Sequence, residues 1–186
     1  MLIQRRFVQI DGRNVHYRLT GDGSPVILIH PSPYSSAYWL RDMAVWGKHF
    51  TCIAVDTPGF GDSDPLPPEQ MDVDGIAAFY TKMIQRLGVS QCAIVGSHTG
   101  AAVALEVGGL HPELVRGLVL EAVPIFTDQE IRTGSTIATS RRWRSASTDP
   151  TSRGPGLARA TPTRGSRGSI VVPRASIQTD DPTTKS

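Results

Sequence analysis

The residues best suited to chemistry lie in the stretch VGSHTG, residues 95–100. Gly96 and Gly100 have the spacing of a sharp strand-to-helix turn, which presents its middle residue as an exposed nucleophile. That middle residue is His98, where serine, cysteine or aspartate would be usual. An imidazole has a reference pKa of about 6.5, so near neutral pH it can act as a general base or a transient acyl acceptor. The stretch therefore predicts a position at His98 that is catalytic or derives from a catalytic one.

Two further motifs follow apolar runs that we expect to form buried strands. HPSP (residues 30–33) follows PVILI, and DTPGFGDSD (residues 56–64) follows CIAV, just as GSHTG follows AIV. Open α/β sheets place their sites at the carboxyl ends of their strands, so all three motifs are expected at one edge of a sheet. Within the second motif, we expect Asp56 and Asp62 to shape the loop through hydrogen bonds rather than to transfer protons.

Strand and helix signals alternate before residue 126. FVQIDGRNVHYRLTG predicts a hairpin that turns at Asp11 and Gly12. The continuous apolar runs predict strands buried on both faces, at residues 25–30, 50–55, 92–96 and 115–123. The helices predicted between them cover residues 36–48, 72–87 (with Asp72 or Asp74 as the N-cap) and 98–110. This alternation predicts an α/β fold, in which a mostly parallel sheet has helices on both faces.

The three motifs, in this order, resemble those of the α/β-hydrolase fold superfamily. Its members show a His-Gly-x-Pro loop, an Asp-x-Pro-Gly-x-Gly-x-Ser loop and a nucleophile elbow. SSAYWLRDM after the first loop and HPELVRGLVLEA after the elbow helix are also similar to that family. We interpret residues 1–126 as the N-terminal part of such a domain, incomplete at its C-terminus. The resemblance implies hydrolysis of an ester-like or related bond in a small organic substrate, with neither a cofactor nor a metal.

The resemblance also implies an oxyanion hole and residues that contact the substrate. Family members build the hole from the amide after the nucleophile, here Thr99, and from an amide of the first loop. Pro31 has no N–H, which leaves Ser32 as the donor in that loop. We expect His30 and Ser97 to contact substrate, although Ser97 lies one residue too early to replace the nucleophile. Alternatively, HPSP is only a tight loop in which His30 packs structurally.

The acid and the base of a catalytic triad are harder to find. In this family the triad runs nucleophile, acid, histidine along the chain, and the histidine follows the last strand. Glu121, at the end of GLVLE, is the candidate acid, and it can equally be an ordinary strand-end carboxylate. No histidine follows His111. The catalytic candidates are therefore His98 and Glu121, and we expect little esterase activity from a chain without the late histidine.

Residues 127–186 form a basic tail rich in Arg, Ser, Thr and Pro. Residues 132–186 carry ten basic and three acidic residues, whereas residues 1–131 carry nine basic and fourteen acidic ones. A segment without apolar periodicity cannot offset its ordering entropy, so we expect disorder there. The tail is interpreted as out-of-frame sequence joined to a hydrolase fragment, or as the functional tail of a short variant. Either way, GLVLEAV (117–123) would be left as an open sheet edge through which copies could self-associate.

Composition argues against several other classes of protein. No apolar run reaches the roughly 18 residues of a membrane span, and the charged N-terminus does not resemble a signal peptide. We therefore expect a cytoplasmic protein that does not contact a membrane, with Cys52 and Cys92 as buried thiols. The tail lacks dense Lys/Arg runs and interleaved aromatic residues, so nucleic-acid binding is not expected. Two alternatives to an enzyme stay open: a non-catalytic module that binds a small molecule or a protein, and tail-mediated binding of an acidic partner.

Overall fold

The strands of the protein form one mixed sheet. The computed structural model describes residues 2–123 and, later in the chain, residues 163–164 and 170–173. The strands are β1 (Gln4–Ile10), β2 (Arg13–Thr20), β3 (Ser24–Ile29), β4 (Phe50–Val55), β5 (Cys92–Ser97), β6 (Val115–Glu121), β7 (Thr163–Arg164) and β8 (Ile170–Pro173). The helices are α1 (Leu40–Trp46), α2 (Val73–Arg86) and α3 (Thr99–Leu110), with short 3-10 turns at Ser36–Trp39 and Pro68–Gln70.

β1 and β2 form the hairpin that the sequence predicts. They pair antiparallel, with Ile10 opposite Arg13 next to the turn. Asp11 and Gly12 make that turn with positive φ angles of 48° and 77°, which a tight two-residue hairpin loop requires at both positions. β2 then pairs antiparallel with β4, so the hairpin extends the sheet on one side.

The centre of the sheet is parallel and is covered on both faces. The strand order is β1-β2-β4-β3-β5-β6-β8-β7, and β4, β3, β5 and β6 run parallel to one another. On one face, Trp39 and Met43 pack with Val26 and Leu28 of β3. On the other face, α2 and α3 pack with the alternate residues of the same strands, among them Ile27. The predicted α/β class, a mostly parallel sheet between helices, is confirmed.

Local signals account for where α2 begins and ends. The Asp72 side chain accepts a hydrogen bond from the Gly75 N–H at 2.8 Å and so caps the first turn. Gly88, just beyond the last turn, has a φ of 71°, the left-handed conformation that commonly stops a helix. The buried side of α2 carries Tyr80, which is fully enclosed. No helix within the described part of the chain is long and apolar enough to cross a lipid bilayer.

The two cysteines lie in the strands at buried positions, as the apolar runs around them predict. Cys52 and Cys92 are unpaired thiols with no exposed surface. Burial raises the pKa of Cys52 to about 11 and that of Cys92 to about 12. Because the thiolate is the reactive form of cysteine, neither side chain is suited to nucleophilic chemistry near neutral pH.

β6 is not the open edge that the sequence analysis expects. β8 pairs antiparallel with it over residues 117–120, with Leu120 opposite Ile170, and β7 pairs with β8 in turn. The strand comes from SIVVP, a run rich in residues that favour strands. All other residues of 124–186 lie outside the described part, so disorder, an out-of-frame origin and a domain boundary at 126 stay predictions.

Candidate active site

His98 lies at the turn between β5 and α3, as the glycine spacing predicts. Its backbone has φ 51° and ψ −116°, a left-handed conformation that is costly for a residue with a Cβ. The flanking glycines permit the turn, since a Cβ on Gly96 would lie 2.3 Å from the Gly100 carbonyl oxygen. The His98 N–H donates to the Glu121 carbonyl at 2.9 Å, which ties the turn to β6. The His98 side chain is exposed, so the turn presents an imidazole at the carboxyl edge of the sheet.

Ser97 and Glu121 are paired across β5 and β6 beside this turn. Ser97 is only 4% exposed, and its hydroxyl lies 3.4 Å from the Tyr38 hydroxyl. This burial agrees with the expectation that Ser97 does not replace His98 as the reactive group. Glu121 is half-buried. Among the described residues, no hydrogen bond joins the Glu121 carboxylate to the His98 imidazole, although the two residues are neighbours in the fold.

The structure brings together the two residues predicted to form an oxyanion hole. The Ser32 N–H donates to Thr99 Oγ1 at 2.7 Å. This contact depends on the close approach of α3 to the loop after β3, because a Cβ on Gly100 would lie 2.3 Å from the Ile29 carbonyl oxygen. The Ser32 amide therefore points toward α3, and its N–H is already bonded to the Thr99 side chain.

His30 is engaged within the protein and not with the open edge. It is 2% exposed, its Nδ1 lies 3.0 Å from the Pro31 carbonyl oxygen, and its Nε2 accepts the Thr57 N–H at 3.0 Å. The Thr57 donor requires a lone pair on Nε2, which places the ring proton on Nδ1. Burial lowers the pKa of His30 against the opposing effects of the Pro31 carbonyl and the Asp56 carboxylate. A neutral ring with both nitrogens occupied favours the structural alternative over substrate contact.

Asp56 is the centre of a buried hydrogen-bond network beneath the loops. Its carboxylate is 2% exposed and accepts from the Ser36 N–H at 2.7 Å, the Asp62 N–H at 2.9 Å and His16 Nδ1 at 2.8 Å. Burial raises the pKa of Asp56, but the hydrogen bonds from Ser36, Asp62 and His16 outweigh it and leave the pKa below its ordinary value. Asp56 thus shapes its loop as expected. No motif in the sequence indicates a role for His16, which reaches Asp56 only because β2 pairs with β4.

The same network contains the potential metal ligands of the described residues. One ligand atom each from His16, Asp56 and Asp62 lies within 4.8 Å of the others. However, Asp56 accepts a hydrogen bond from His16 Nδ1, and the Arg5 guanidinium donates to both His16 and Asp62. A divalent cation would have to displace this guanidinium, so we interpret the group as a hydrogen-bond network that includes the ion pair of Arg5 with Asp62.

Several proteins similar to this chain are hydrolases by name, and the chain spans less than half the length of each relative described below. A family model described as alpha/beta hydrolase fold matches residues 24–144. The soluble epoxide hydrolase of Corynebacterium sp. (strain C12) is 30% identical over 116 residues, covering 62% of this chain and 40% of that protein. The 2-hydroxy-6-oxo-6-(2'-aminophenyl)hexa-2,4-dienoic acid hydrolase of Metapseudomonas resinovorans is 34% identical over 119 residues, covering 62% and 41%. A solved mutant of N-acyl homoserine lactonase AidH, complexed with N-hexanoyl homoserine, matches with a TM-score of 0.65 and 26% identity, covering 71% and 49%.

Proposed function

The chain belongs to the α/β-hydrolase fold family, and from that premise we propose that it hydrolyses an ester-like or related bond in a small organic substrate at His98. The observation that carries the proposal is the exposed imidazole, held with φ 51° at the turn where the fold presents its reactive group. The names of the similar proteins agree with hydrolysis, and their named substrates are small organic molecules.

The proposed reaction uses His98 as a general base. Water attacks the carbonyl carbon of the substrate, and the proton that it loses passes to a neutral imidazole nitrogen of His98. The tetrahedral oxygen becomes negative and is stabilised by donors at the start of α3, where Thr99 lies. When the intermediate collapses, the leaving group departs with the proton from the imidazole. Ser97 and Glu121 flank the reacting group in this proposal without taking part in the proton transfer.

One observation favours a second candidate, a binding module without turnover. Among the described residues, no carboxylate or second histidine is hydrogen-bonded to the His98 imidazole. A reactive ring that no acid orients is a poor catalyst, while the site can still bind a ligand. Binding of an acidic partner through the tail falls on residues outside the described part and stays a prediction, as does a cytoplasmic location.

Hydrolysis of p-nitrophenyl acetate by three forms of the protein tests the proposal. We expect His98→Ala to lower kcat/KM by about tenfold, which is below the 10²–10⁴-fold of complete acid–base machinery because no acid orients the ring. Ser97→Ala is the matched control and should stay close to the wild type, since its hydroxyl is buried. Free imidazole at the same concentration gives the background rate.

The other outcomes of this experiment separate the alternatives. Loss of activity in Ser97→Ala alone would show that the reactive residue of the turn has been misassigned. Activity that survives both substitutions would place the chemistry elsewhere in the molecule. Saturable binding of the ester with a rate no higher than that of free imidazole would support the binding module.

A further inference from the structure

The Thr99 hydroxyl holds an unusual position in the proposed oxyanion hole. The Ser32 N–H, which would be expected to meet the ligand, donates to Thr99 Oγ1 at 2.7 Å instead. Pro31 cannot offer an amide in its place, because proline has no N–H. The Ser32 amide is therefore already bonded to the side chain of Thr99.

A hydroxyl that accepts one hydrogen bond still has a proton to donate. Among the described residues, Thr99 Oγ1 donates no hydrogen bond, and the one bond at this atom is the one that it accepts from Ser32. On the inner side, Thr99 borders a cavity of about 20 Å³ whose wall is mainly apolar and includes Ile29, Val73 and Val103. Thr99 is only half-buried, so its hydroxyl proton is free to turn toward the open edge, where His98 is exposed.

We propose that the Thr99 hydroxyl, rather than the Ser32 amide, is the second donor to the oxyanion of the substrate. The first donor is the Thr99 N–H itself, at the start of α3. The Ser32 N–H acts through the hydroxyl: by donating to Oγ1 it polarises the O–H bond and makes it a stronger donor. This inference rests on the proposed function of the turn, and it makes Ser32 a positioning residue.

The backbone around these residues keeps the arrangement in place. A Cβ on Gly100 would lie 2.3 Å from the Ile29 carbonyl oxygen and 2.8 Å from that of His30, so α3 and the loop are in direct backbone contact. His30 in turn bonds to Pro31 and to the Thr57 N–H, which fixes the loop from its other side. Ser32 and Thr99 are thus held by two rigid elements, and preorganised donors of this kind stabilise developing charge.

Substitution of Thr99 distinguishes two roles of its hydroxyl. The hydroxyl either donates a hydrogen bond to the bound anion or occupies the anion position itself, and in the second case it would compete with a ligand. Thr99→Val keeps the branched shape and removes the hydroxyl, whereas Thr99→Ser keeps the hydroxyl. The probe is phenylphosphonate, a tetrahedral anion, titrated into ¹⁵N-labelled protein while amide chemical shifts are followed. We expect Thr99→Val to weaken phosphonate binding by about tenfold or more and to lower kcat/KM for p-nitrophenyl acetate by a similar factor. The reason is that loss of one oxyanion donor lowers the rate by about 10²–10³-fold in a complete site. Thr99→Ser should remain within about twofold of the wild type.

Thr51→Val is the control, since it removes a threonine hydroxyl that bonds to the Gly23 carbonyl away from the turn and should leave binding unchanged. Unchanged or tighter phosphonate binding in Thr99→Val would show that the hydroxyl does not donate to the anion, and it would overturn the proposal. Absence of phosphonate binding in every form would overturn it as well. A different measurement tests the proposed function. If ester turnover does not change in His98→Ala, the proposed function fails, whereas phosphonate binding is measured without any turnover.

Discussion

Gly100→Ala is expected to lower the free energy of unfolding by about 3 kcal/mol, at the upper end of what overpacking usually costs. The new Cβ would lie 2.3 Å from the Ile29 carbonyl oxygen and 2.8 Å from that of His30. Both are backbone atoms, so the contact is relieved only if α3 moves away from β3. That movement also separates Ser32 from Thr99, and we therefore expect the proposed oxyanion hole to be lost in whatever folded protein remains.

Gly108→Ala, on the same helix, is the matched control for this prediction. A Cβ there would lie 2.9 Å from Leu118 Cδ1, the end of a flexible side chain that can move aside. Alanine also gains about 1 kcal/mol over glycine in helix propensity, so the net change should stay within about 1 kcal/mol. Urea unfolding of both variants measures the difference. Equal losses of stability would contradict the close backbone approach at Gly100.

Asp56→Asn is expected to lower the free energy of unfolding by about 2 kcal/mol near neutral pH, as for loss of hydrogen bonds to a buried charged group. The carboxylate accepts from Ser36, Asp62 and His16, and every one of these groups is a donor. An amide in its place turns an NH₂ group toward at least one of them. A buried donor without an acceptor then adds its desolvation cost.

The effect of Asp56 on stability should depend on pH in a defined direction. Its pKa in the folded protein lies below the ordinary value of 3.8, so the ionised form favours folding. This contribution is fully present above the ordinary pKa and is lost as the pH falls through the folded one. Urea unfolding between about pH 3 and pH 7 should therefore show the gap between wild type and Asp56→Asn narrowing on acidification. A gap that is independent of pH would contradict the assignment.

Asp62→Asn is the control for the Asp56 experiment. The Asp62 side chain is 54% exposed and pairs with an equally exposed Arg5, so solvent screens the interaction. The substitution leaves the Asp62 N–H free to donate to Asp56, and we expect a much smaller change in stability. A loss as large as that of Asp56→Asn would mean that the ion pair with Arg5, rather than the buried carboxylate, holds the loop.

Most of the fold could be predicted because its signals are local. Asp11 and Gly12 specify a tight turn through their backbone preferences. An aspartate side-chain acceptor at Asp72 or Asp74 predicts a helix start, and in the structure Asp72 is the N-cap. Fully apolar strands in alternation with helices require a sheet that is covered on both faces. The spacing of Gly96 and Gly100 placed His98 at the strained turn for the same reason, since only residues without a Cβ allow the strand and the helix to approach so closely.

Contacts between distant segments could not be predicted in this way. No sequence rule indicates that the Ser32 amide ends on the Thr99 hydroxyl, because the direction of a single N–H depends on how a loop and a helix dock. The sequence leaves two interpretations of His30 open, and its burial and its bonds to Pro31 and Thr57 favour the structural one. No local pattern in the sequence indicates the contact of His16 with Asp56, because the two residues meet only through strand pairing.

The class of fold and the residue at the turn follow from the amino-acid sequence, because backbone preferences and apolar periodicity act over a few neighbouring residues. Which donors and acceptors meet, and where β8 lies, depends on tertiary contacts. These outcomes depend on docking between segments 40 or more residues apart, such as His16 with Asp56 and β6 with β8. A buried polar atom takes the partner that packing brings to it, and the residues near it in sequence do not specify that partner.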